Sequence, residues 1–540
     1  MKNSVIIIIL SLFVFVACND GFLEKFPLDE VSDESFWRNA SDIEMYANQF
    51  YTNLDPVEYQ FKTDNKSDNQ GAGDRNTYIW NLYTLPTSGG GWGKSDWLPI
   101  RRCNYALARI ADMEKDNNVL MYEGEIRFFR AYLYQKKIQQ FGDVPWFDKD
   151  LNIDSEELYK ARDSRKVVFA NMLEDLDFAI TNLPETSSAG RLTKYAALCF
   201  KSEACLYEGT FRKYHSLGDD EAILRECVNA AESVINSGKF SVYSTGKPLD
   251  DYYDLFVKYD LTGNKEAIMF QSMVEGLRTH NDARELSNPK TGYTKDFVKT
   301  YLCTDGLPIA LSSLYQGDAA FVDEFVNRDP RMYQSVYHPS RPTRIFSNGS
   351  IEYKAMPEFD KNYCMTSYYI MKGFSPYESD RLQGHCTIDR IIFRYGRLLV
   401  GYAEAKAELG ECTQAVLDNS INKLRDRVGM PHLTVAVGFV DPDWPVWEVP
   451  VSPLINEIRR ERRIETCAEG TRWDDLVRWK AGKRLDDPLT YRGARDPAIN
   501  DYRVLYPGFT RVWDNKLYLY PIPTQERALN PNLEQNPGWE

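Results

Sequence analysis

Residues 87–97, TSGGGWGKSDW, resemble a phosphate-binding loop, in which backbone N–H groups of a glycine-rich turn surround phosphate oxygens. The GKS at 93–95 matches the end of the G-x-x-x-x-G-K-[ST] pattern, but Ser88 replaces its first glycine. The upstream stretch 74–86 is aromatic and broken by Asn and Pro, whereas a buried parallel strand should be rich in Val, Ile and Leu. The helix downstream is expected to begin only around Pro99, too late for a phosphate loop. These flanks argue against a nucleotide site.

Pairs of carboxylates are the second pattern with catalytic potential, because a glycosidase holds two of them about 5–9 Å apart across a sugar. Asp474 and Asp475 are adjacent, so we expect them to point to different faces of a helix. Glu461 and Glu465 are flanked by arginines, which should hold both ionised. No G-x-S-x-G elbow is present. We predict no catalytic residue, and keep a surface glycoside hydrolase as the alternative from another class.

Metal ligands are not clustered in this sequence. The five histidines are scattered singly, and no C-x-x-C spacing occurs. The stretch DNKSDNQGAGD at 64–74 offers oxygen ligands for calcium, but Lys66 breaks the EF-hand spacing. We interpret it as a polar loop and predict neither a metal nor a cofactor.

The N-terminus is typical of a processing segment. Residues 5–16, VIIIILSLFVFV, are an apolar run too short for a membrane-spanning helix, which needs about 20 residues. Ala17 then precedes Cys18, and FVAC resembles a bacterial lipobox. We predict a signal peptide at 1–17 and a lipidated Cys18 that anchors the mature chain to a membrane. Ordinary secretion with a free Cys18 is the alternative.

The charge of the chain limits its partners. A net charge of −14 argues against nucleic-acid binding. The RRERR run at 459–463 is interleaved with glutamates, so we interpret it as a solvated, salt-bridged helix face. With Cys18 lipidated, nine of the ten cysteines remain, and an odd number cannot all pair internally.

Apolar residues at helical spacing dominate both ends of the chain and predict a mostly α-helical fold. Ser452 and Pro453 form a favourable N-cap and N1 pair. Small residues at Ala196, Ala197 and Ala204 would let helices approach closely, as in tetratricopeptide-like helix pairs. The predicted helices cover residues 40–54, 98–112, 120–140, 165–182, 193–212, 220–236, 393–411, 418–430, 452–470 and 471–482.

The middle of the chain, roughly 240–390, is different in composition. It has few long amphipathic runs and many Tyr, Asn, Ser, Pro and Gly residues. Long irregular segments in a compact protein are usually functional or disordered, and the aromatic content disfavours disorder. We predict a loop-rich lobe with short strands.

Nine motifs between residues 18 and 539 occur in an order that carries a family resemblance. They are CNDGFLEKFPLDEVSDESFW, RRCN, GEIRFFRAYLYQKKIQQFGDVP, LEDLDFAITNLP, GRLTKYAALCFKSEACLY, FRYGRLLVGYAEAKAELGE, NKLRDRVGMP, INEIRRERRIETCAEGTRWDDLVRWK and YPIPTQERALNPNLEQNPGW. In these motifs the chain resembles the SusD/RagB family of outer-membrane nutrient-binding lipoproteins. The likeness covers nearly the whole mature chain.

The resemblance implies a tetratricopeptide-like helix-pair superhelix that scaffolds a loop-rich ligand-binding half. Within a SusD-like domain at 18–540, we expect an N-terminal helical part (18–240), a loop-rich ligand lobe (241–390) and a C-terminal helical part (391–540). The resemblance also implies a cell-surface glycan-binding protein without catalysis, anchored to the outer membrane. Its partner would be a SusC-like TonB-dependent transporter, to which it delivers the captured glycan.

The family also implies that the segment before the first long helix contributes to the glycan site. A sugar has apolar C–H faces and polar rims, so its site needs flat aromatic rings beside amide or guanidinium donors. Glycines 89–91 should turn the chain sharply and present Trp92, whereas Trp97 should belong to the core. The predicted ligand-binding residues are Arg75, Asn76, Tyr78, Trp80, Asn81, Tyr83 and Trp92, joined by Tyr293, Tyr368 and Tyr369 from the mid-chain loops.

Two other binding roles stay open at this stage. A RagB-like protein would capture peptides instead of glycans, and the sequence does not distinguish the two ligands. A pure protein adaptor is also compatible with a tetratricopeptide-like array. However, an adaptor would not need the aromatic-rich loops.

Overall fold

The computed structural model describes residues 33–54, 60–188 and 190–540. The predicted signal peptide and Cys18 lie outside these residues. The α-helices are α1 Asp33–Phe36, α2 Ala40–Ala47, α3 Lys94–Ile110, α4 Asn117–Phe141, α5 Arg165–Asn182, α6 Lys194–Tyr214, α7 Asp220–Asn236, α8 Asp251–Leu255, α9 Asp282–Leu286, α10 Lys295–Lys299, α11 Pro330–Ser335, α12 Tyr395–Glu408, α13 Gln414–Asp418, α14 Ile421–Arg427, α15 Pro453–Glu465, α16 Arg472–Arg478 and α17 Thr524–Leu529.

The long helices pack as consecutive pairs, which confirms the predicted tetratricopeptide-like architecture. Helix α4 packs against α5, α6 packs against α7, and α12 joins α6, α7 and α15. Local capping signals set several boundaries: the Asp116 carboxylate accepts from the N–H groups of Asn118 and Val119 at the start of α4. The predicted Ser452–Pro453 cap is also confirmed, because Ser452 Oγ accepts from the N–H of Ile455.

Small residues let α6 lie close to its neighbours, as the sequence predicts. Ala196, Ala197 and Ala204 are buried. Gly209 on the same helix leaves no room for a side chain, since an added Cβ would lie 2.8 Å from Leu224 of α7. The close approach of α6 and α7 therefore depends on a glycine at position 209.

The middle of the chain is a lobe of loops, short helices and short strands, as predicted. The strands of the described chain are β1 Gln70–Ala72, β2 Ala267–Gln271, β3 Thr291–Tyr293, β4 Arg344–Ile345, β5 Ile351–Glu352, β6 Arg390–Arg394, β7 Arg492–Asp496 and β8 Asp501–Val504. They form two-stranded antiparallel sheets. The pairs β1–β3 and β2–β6 join segments that are distant in the chain, whereas β4–β5 and β7–β8 join neighbouring segments.

Three large apolar clusters form the core. The first lies among the helices and draws residues from Ile43 to Leu533. The second, around Tyr293 and Phe297, lies under the mid-chain loops. The third is strongly aromatic and joins residues near Trp80 to the C-terminal segment ending at Trp539. Segments from both ends of the chain thus share the same cores.

The RRERR run is buried, so the prediction of a solvated helix face is wrong. Every residue of α15 from Asn456 to Glu465 is buried. The predicted ion pairs do form. Arg460 pairs with Glu457 of the same helix at 3.1 Å, whereas Arg462 reaches Asp475 at 2.8 Å and Arg463 reaches Asp296 at 2.7 Å, both on other elements. Burial is tolerated because each paired charge is neutralised by a carboxylate.

The middle of the stretch 64–74, predicted as a polar loop, is buried at residues 67–71, whereas Asp74 at its end is exposed. Asp68 accepts from Arg472 at 2.7 Å and from Arg484 at 2.6 Å, and it lies 3.3 Å from Arg463. Burial opposes ionisation, but these three guanidinium groups hold the pKa of Asp68 well below its usual range. Through these ion pairs, Asp68 in the N-terminal part of the chain holds three arginines of the C-terminal part.

Two further findings concern helix length and the cysteines. Within the described residues, no helix is long and apolar enough to cross a bilayer. The nine cysteines of that part are all free thiols, and eight of them are buried.

Candidate functional site

The glycine-rich loop at 87–93 turns sharply, as predicted, but it carries Trp92 inward. Gly89, Gly90 and Gly91 all have positive φ angles, of 75°, 60° and 92°. Trp92 is 4% exposed, with its ring centroid 4.8 Å from that of Phe141. Lys137 fastens the loop by donating to the Gly91 carbonyl at 2.6 Å. The loop therefore packs against α4, and Trp92 is a core residue.

Helix α3 begins at Lys94, several residues earlier than the sequence predicts. Gly93 is its N-cap, and the Asp96 carboxylate accepts from the Gly93 N–H at 2.9 Å. Pro99 lies inside the helix, where its ring removes the N–H that would otherwise bond to the Ser95 carbonyl. No strand lies between residues 73 and 93 of the described chain, so the phosphate-loop reading has no structural support.

Tyr78 is buried in a stack of aromatic rings. Its ring lies 4.1 Å from that of Tyr520, nearly parallel to it, and its hydroxyl donates to the Leu517 carbonyl at 3.0 Å. The Lys66 ammonium sits 4.3 Å from the same ring and 3.9 Å from Trp473. Burial lowers the pKa of Lys66 to about 7. Tyr78 thus forms one wall of a closed cation–π cage.

Trp80 is buried in the third cluster. Its ring meets Tyr506 at 5.0 Å and Tyr491 at 5.3 Å, both edge to face. Arg511 lies 5.4 Å from the ring and is itself buried. A ring surrounded in this way cannot offer a face to a sugar.

The three mid-chain tyrosines are buried as well. Tyr293 stacks on Phe297 at 4.5 Å. The Tyr368 hydroxyl donates to Glu324 at 2.6 Å, and the Tyr369 hydroxyl donates to Glu358 at 2.5 Å. These residues belong to the second cluster, whereas Tyr78 and Trp80 belong to the third and Trp92 to the first.

The structure therefore does not bring the predicted aromatic residues together as one platform. The rings it assigns to the core are Tyr78, Trp80, Trp92, Tyr293, Tyr368 and Tyr369. The physical reason is that a large aromatic ring stabilises a core by the same apolar area that would bind a sugar. Sequence alone does not separate the two uses.

The remaining predicted residues lie at or near the surface. Asn81 is exposed, with a positive φ of 52°. Tyr83 is partly buried, 5.4 Å from Tyr78. The Asn76 side chain has a local role, because its Oδ1 accepts from the N–H groups of Tyr78 and Ile79.

Arg75 is the predicted residue with the clearest binding geometry. Its guanidinium carbon lies 3.7 Å from the ring centroid of Phe509 and 5.6 Å from that of Trp80. Phe509 remains 51% exposed. Within the described residues, Arg75 makes no hydrogen bond or ion pair, so its N–H groups are free to meet a ligand. A guanidinium stacked on an exposed ring supplies both a flat apolar surface and planar donors.

Phe509 was missed in the sequence, although a local signal marks it. Residues 506–509 read YPGF, and Pro at the second and Gly at the third position favour a type II turn. Gly508 has a φ of 82°, and the Phe509 N–H donates to the Tyr506 carbonyl at 3.2 Å. The turn holds the ring outward at its fourth position.

Two neighbouring segments extend this surface. Lys361 pairs with Asp74 at 3.0 Å, and both side chains are largely exposed. Tyr363 follows in the same turn and is 40% exposed. We call the group Asp74, Arg75, Lys361, Tyr363 and Phe509 the Arg75–Phe509 surface.

The carboxylate pairs do not form a glycosidase centre. Asp474 and Asp475 both border a cavity of about 240 Å³, but they bond different partners, since Gln139 donates to Asp474 and Arg478 donates to Asp475. Both oxygens of Asp475 also accept from Arg462. Burial and the neighbouring Asp475 raise the pKa of Asp474 to about 7. One protonatable carboxyl beside a fully occupied carboxylate does not supply the two roles that glycoside hydrolysis requires.

The second pair, Glu461 and Glu465, is held ionised by arginines, as predicted. Burial opposes this, but Arg427, Arg394 and Arg331 keep the pKa of Glu465 below its usual range. Arg331 and Arg425 act in the same way on Glu461. Both glutamates are fully buried, and neither faces an open cleft.

Comparison with known proteins identifies the family to which the chain belongs. The SusD family model matches residues 258–539, more than half of the chain. A second model, described as starch-binding associating with outer membrane, matches residues 25–206. SusD-like protein P38 of Formosa agariphila is 25% identical, with 98% of this chain and 97% of that protein covered. A SusD-like protein of Bacteroides ovatus is 21% identical, covering 92% and 87%.

Solved structures show the same fold. A SusD-like protein of Bacteroides fragilis matches with a TM-score of 0.74 at 24% identity, covering 95% of this chain and all of that one. A SusD-like carbohydrate binding protein of the same species matches with a TM-score of 0.72 at 22% identity, covering 93% and 100%. Surface glycan-binding protein A of Bacteroides fluxus matches with a TM-score of 0.59 at 20% identity, covering 93% and 100%. On this fold and these matches, the chain belongs to the SusD/RagB family.

Proposed function

We propose that this protein is a cell-surface glycan-binding lipoprotein of the outer membrane, and that it captures its ligand without chemistry. The observation that carries the proposal is Phe509, an exposed ring backed by the unpaired guanidinium of Arg75 at 3.7 Å. Two of the matched structures are described as carbohydrate-binding or glycan-binding proteins, which supports the same ligand class.

The glycan site that we propose is the Arg75–Phe509 surface. The ring would take the apolar face of a sugar, while the Arg75 guanidinium would bond its hydroxyl groups. Asn81 and Tyr83, from the same segment as Arg75, remain predicted ligand-binding residues. One exposed ring and a few polar groups correspond to weak binding, with a Kd on the order of micromolar to millimolar. Such affinity suits a protein that must release its ligand again.

We further propose that Cys18 carries the lipid anchor and that a SusC-like TonB-dependent transporter receives the glycan. The lipobox-like FVAC supports the anchor, and the description of the second family model supports association with the outer membrane. In this proposal the helices of residues 18–240 and 391–540 form the scaffold, and residues 241–390 form most of the loop-rich half. Arg75 and Phe509 lie on loops outside 241–390 and join that half at the proposed site.

Affinity electrophoresis of the mature protein against a polysaccharide panel tests the ligand class. We expect retardation by at least one polysaccharide, and loss of most of it in Phe509→Ala and in Arg75→Ala. Tyr159→Ala is the matched control, because Tyr159 is 53% exposed and lies outside the proposed surface. It should leave retardation unchanged.

The panel also separates the rival ligands. Absence of binding to every glycan by the folded protein, with calorimetric binding of peptides, would replace this proposal by peptide capture. Retention of full glycan binding in Phe509→Ala would leave the ligand class intact but would reject the Arg75–Phe509 surface as its site.

A further inference from the structure

A second cavity lies against α15, and its chemistry differs from that of the Arg75–Phe509 surface. Its volume is about 360 Å³, within the usual range of small-ligand pockets. Seven Lys or Arg side chains line it against four Asp side chains, together with Trp444 and Trp447. None of the lining residues belongs to the Arg75–Phe509 surface.

Most of the basic side chains in this cavity already have carboxylate partners. Arg460 contacts Asp441 at 2.5 Å and Glu457 at 3.1 Å. Lys299 lies 3.2 Å from Asp443. These residues fix the walls, and their charge is largely neutralised within the protein.

Three of the arginines share a small set of carboxylates. Arg463, Arg472 and Arg484 share Asp68, and Asp296 is shared by Arg463 and Arg484. Asp487 also lines the cavity, and burial of Arg484 is outweighed by Asp296, Asp68 and Asp487, which raise its pKa. These charges hold the floor of the cavity together, so donors available to a ligand have to be sought elsewhere in its lining.

Arg459 is the unexplained group. It is 2% exposed and lines the cavity, yet its Nε and Nη1 make no hydrogen bond. Its one acidic contact is long, 3.5 Å from Nη2 to Glu408, whose oxygens already accept from Lys213 and Tyr214. Leaving buried guanidinium donors unsatisfied is costly, so such a group requires an explanation.

The rings around Arg459 explain only part of this arrangement. The guanidinium carbon lies 4.4 Å from Trp479, 4.7 Å from Trp447 and 4.8 Å from Tyr214. Ring faces stabilise the positive charge but do not accept in-plane N–H bonds as an oxyanion does. Lys483 adds a second free charge, since it is exposed and makes no ion pair within the described residues.

We propose that this cavity binds an anionic sugar, through a carboxylate or sulfate group held by Arg459 and Lys483. Planar guanidinium donors match the oxygens of both groups. Trp444 and Trp447 supply apolar walls for a sugar ring, and their indole N–H groups are already bonded, to Glu457 and to Asn456. The inference does not depend on the glycan site proposed above.

Calorimetric titration of the full chain with sodium glucuronate, sodium sulfate and glucose tests this proposal. We expect glucuronate to bind, sulfate to compete with it, and glucose to bind at least tenfold more weakly. Arg459→Met keeps the apolar stem and removes the donors, so affinity for glucuronate should fall about tenfold or more. Lys483→Ala should weaken binding about two- to fivefold.

Controls keep the test decisive. Lys149→Ala removes an exposed lysine that is not part of the cavity lining and should leave affinity unchanged. If Arg459→Met does not fold, the affinity of Lys483→Ala and the comparison of glucose with glucuronate still test the proposal. Absence of anion binding, or equal affinity for glucose and glucuronate, would overturn the proposal. Sulfate bound as tightly as glucuronate would overturn the part that assigns a sugar ring to the tryptophans.

Discussion

The Arg75–Phe509 surface and the interior around α15 use the same side chain in opposite ways. Arg75 stacks on an exposed ring and has no acidic partner within the described residues. Arg462 and Arg463 are buried and lie within 3 Å of carboxylates from other elements. The difference shows that the partners of an arginine, and not its presence, decide whether it holds the fold or remains available for a ligand.

A second contrast concerns aromatic rings. Trp80 and Phe509 both lie within 6 Å of Arg75, but Trp80 is 7% exposed and Phe509 is 51% exposed. The outer ring can meet a ligand because the inner ring and its neighbours fix the position of the guanidinium between them. Stability and binding should therefore respond separately to mutation in the two layers.

Removing a shared buried carboxylate should have the largest effect. Asp68→Asn would leave Arg472 without a carboxylate partner and would leave Arg463 and Arg484 with Asp296 alone. We expect the free energy of unfolding to fall by about 3–5 kcal/mol, measured by urea denaturation. Asp74→Asn is the control, since its side chain is 90% exposed, and it should change stability by less than about 0.5 kcal/mol. Equal effects of the two would refute the contrast between the regions.

Acid should weaken the same interior network. Burial opposes ionisation of Glu404 and Glu469, but neighbouring arginines lower the pKa of each to about 2. Because these folded-state values lie below the unfolded value of 4.5, the stability they contribute is present above pH 4.5 and is lost as the pH falls toward 2. The expected loss is on the order of 3 kcal/mol for each group.

Unfolding free energy measured from pH 5 to pH 3 checks this prediction. Glu404→Gln removes one titrating group, so its stability should fall less steeply over that range than that of the unmodified protein. Identical slopes would show that Glu404 does not couple folding to protonation.

The sequence predicted the helices well because their signals are local. Apolar periodicity, the Asp116 and Ser452 caps, and the alanines of α6 all act within a few residues. Burial of the RRERR run was not predictable in this way. Its acidic partners Asp68 and Asp296 lie more than 150 residues away in the chain, and a run of charges resembles a solvated helix face.

The site was predicted less well, for the same reason. Arg75 was identified, but the burial of Trp80 depends on Tyr491 and Tyr506, more than 400 residues later. Phe509 was missed even though its YPGF turn is a local signal. Turn chemistry predicts which ring faces outward, whereas aromatic content alone does not.

Truncating the inner ring should affect stability more than binding chemistry. Trp80→Ala would leave a cavity among Tyr491, Tyr506 and Arg511, and we expect a loss of about 3 kcal/mol or more in unfolding free energy. Phe509→Ala should cost less than about 1 kcal/mol, since half of the ring is already in water. Thermal denaturation of both variants checks this order. A larger loss for Phe509→Ala would mean that the outer ring is part of the core.

The smallest expected effect is that of Arg75→Lys on glycan affinity, and it tests which property of Arg75 contributes to binding. Arg75→Lys keeps the positive charge but replaces the flat guanidinium, now 3.7 Å from the Phe509 ring, with a point charge that cannot stack. Glycan affinity should fall about two- to fivefold, less than in Arg75→Ala, because charge and stem remain while the planar donors are lost. Titration calorimetry with the retarding polysaccharide measures the difference. If Arg75→Lys lowers affinity as much as Arg75→Ala, the planar guanidinium makes the whole contribution of Arg75 to binding. If Arg75→Lys leaves affinity unchanged, the positive charge alone is sufficient for binding.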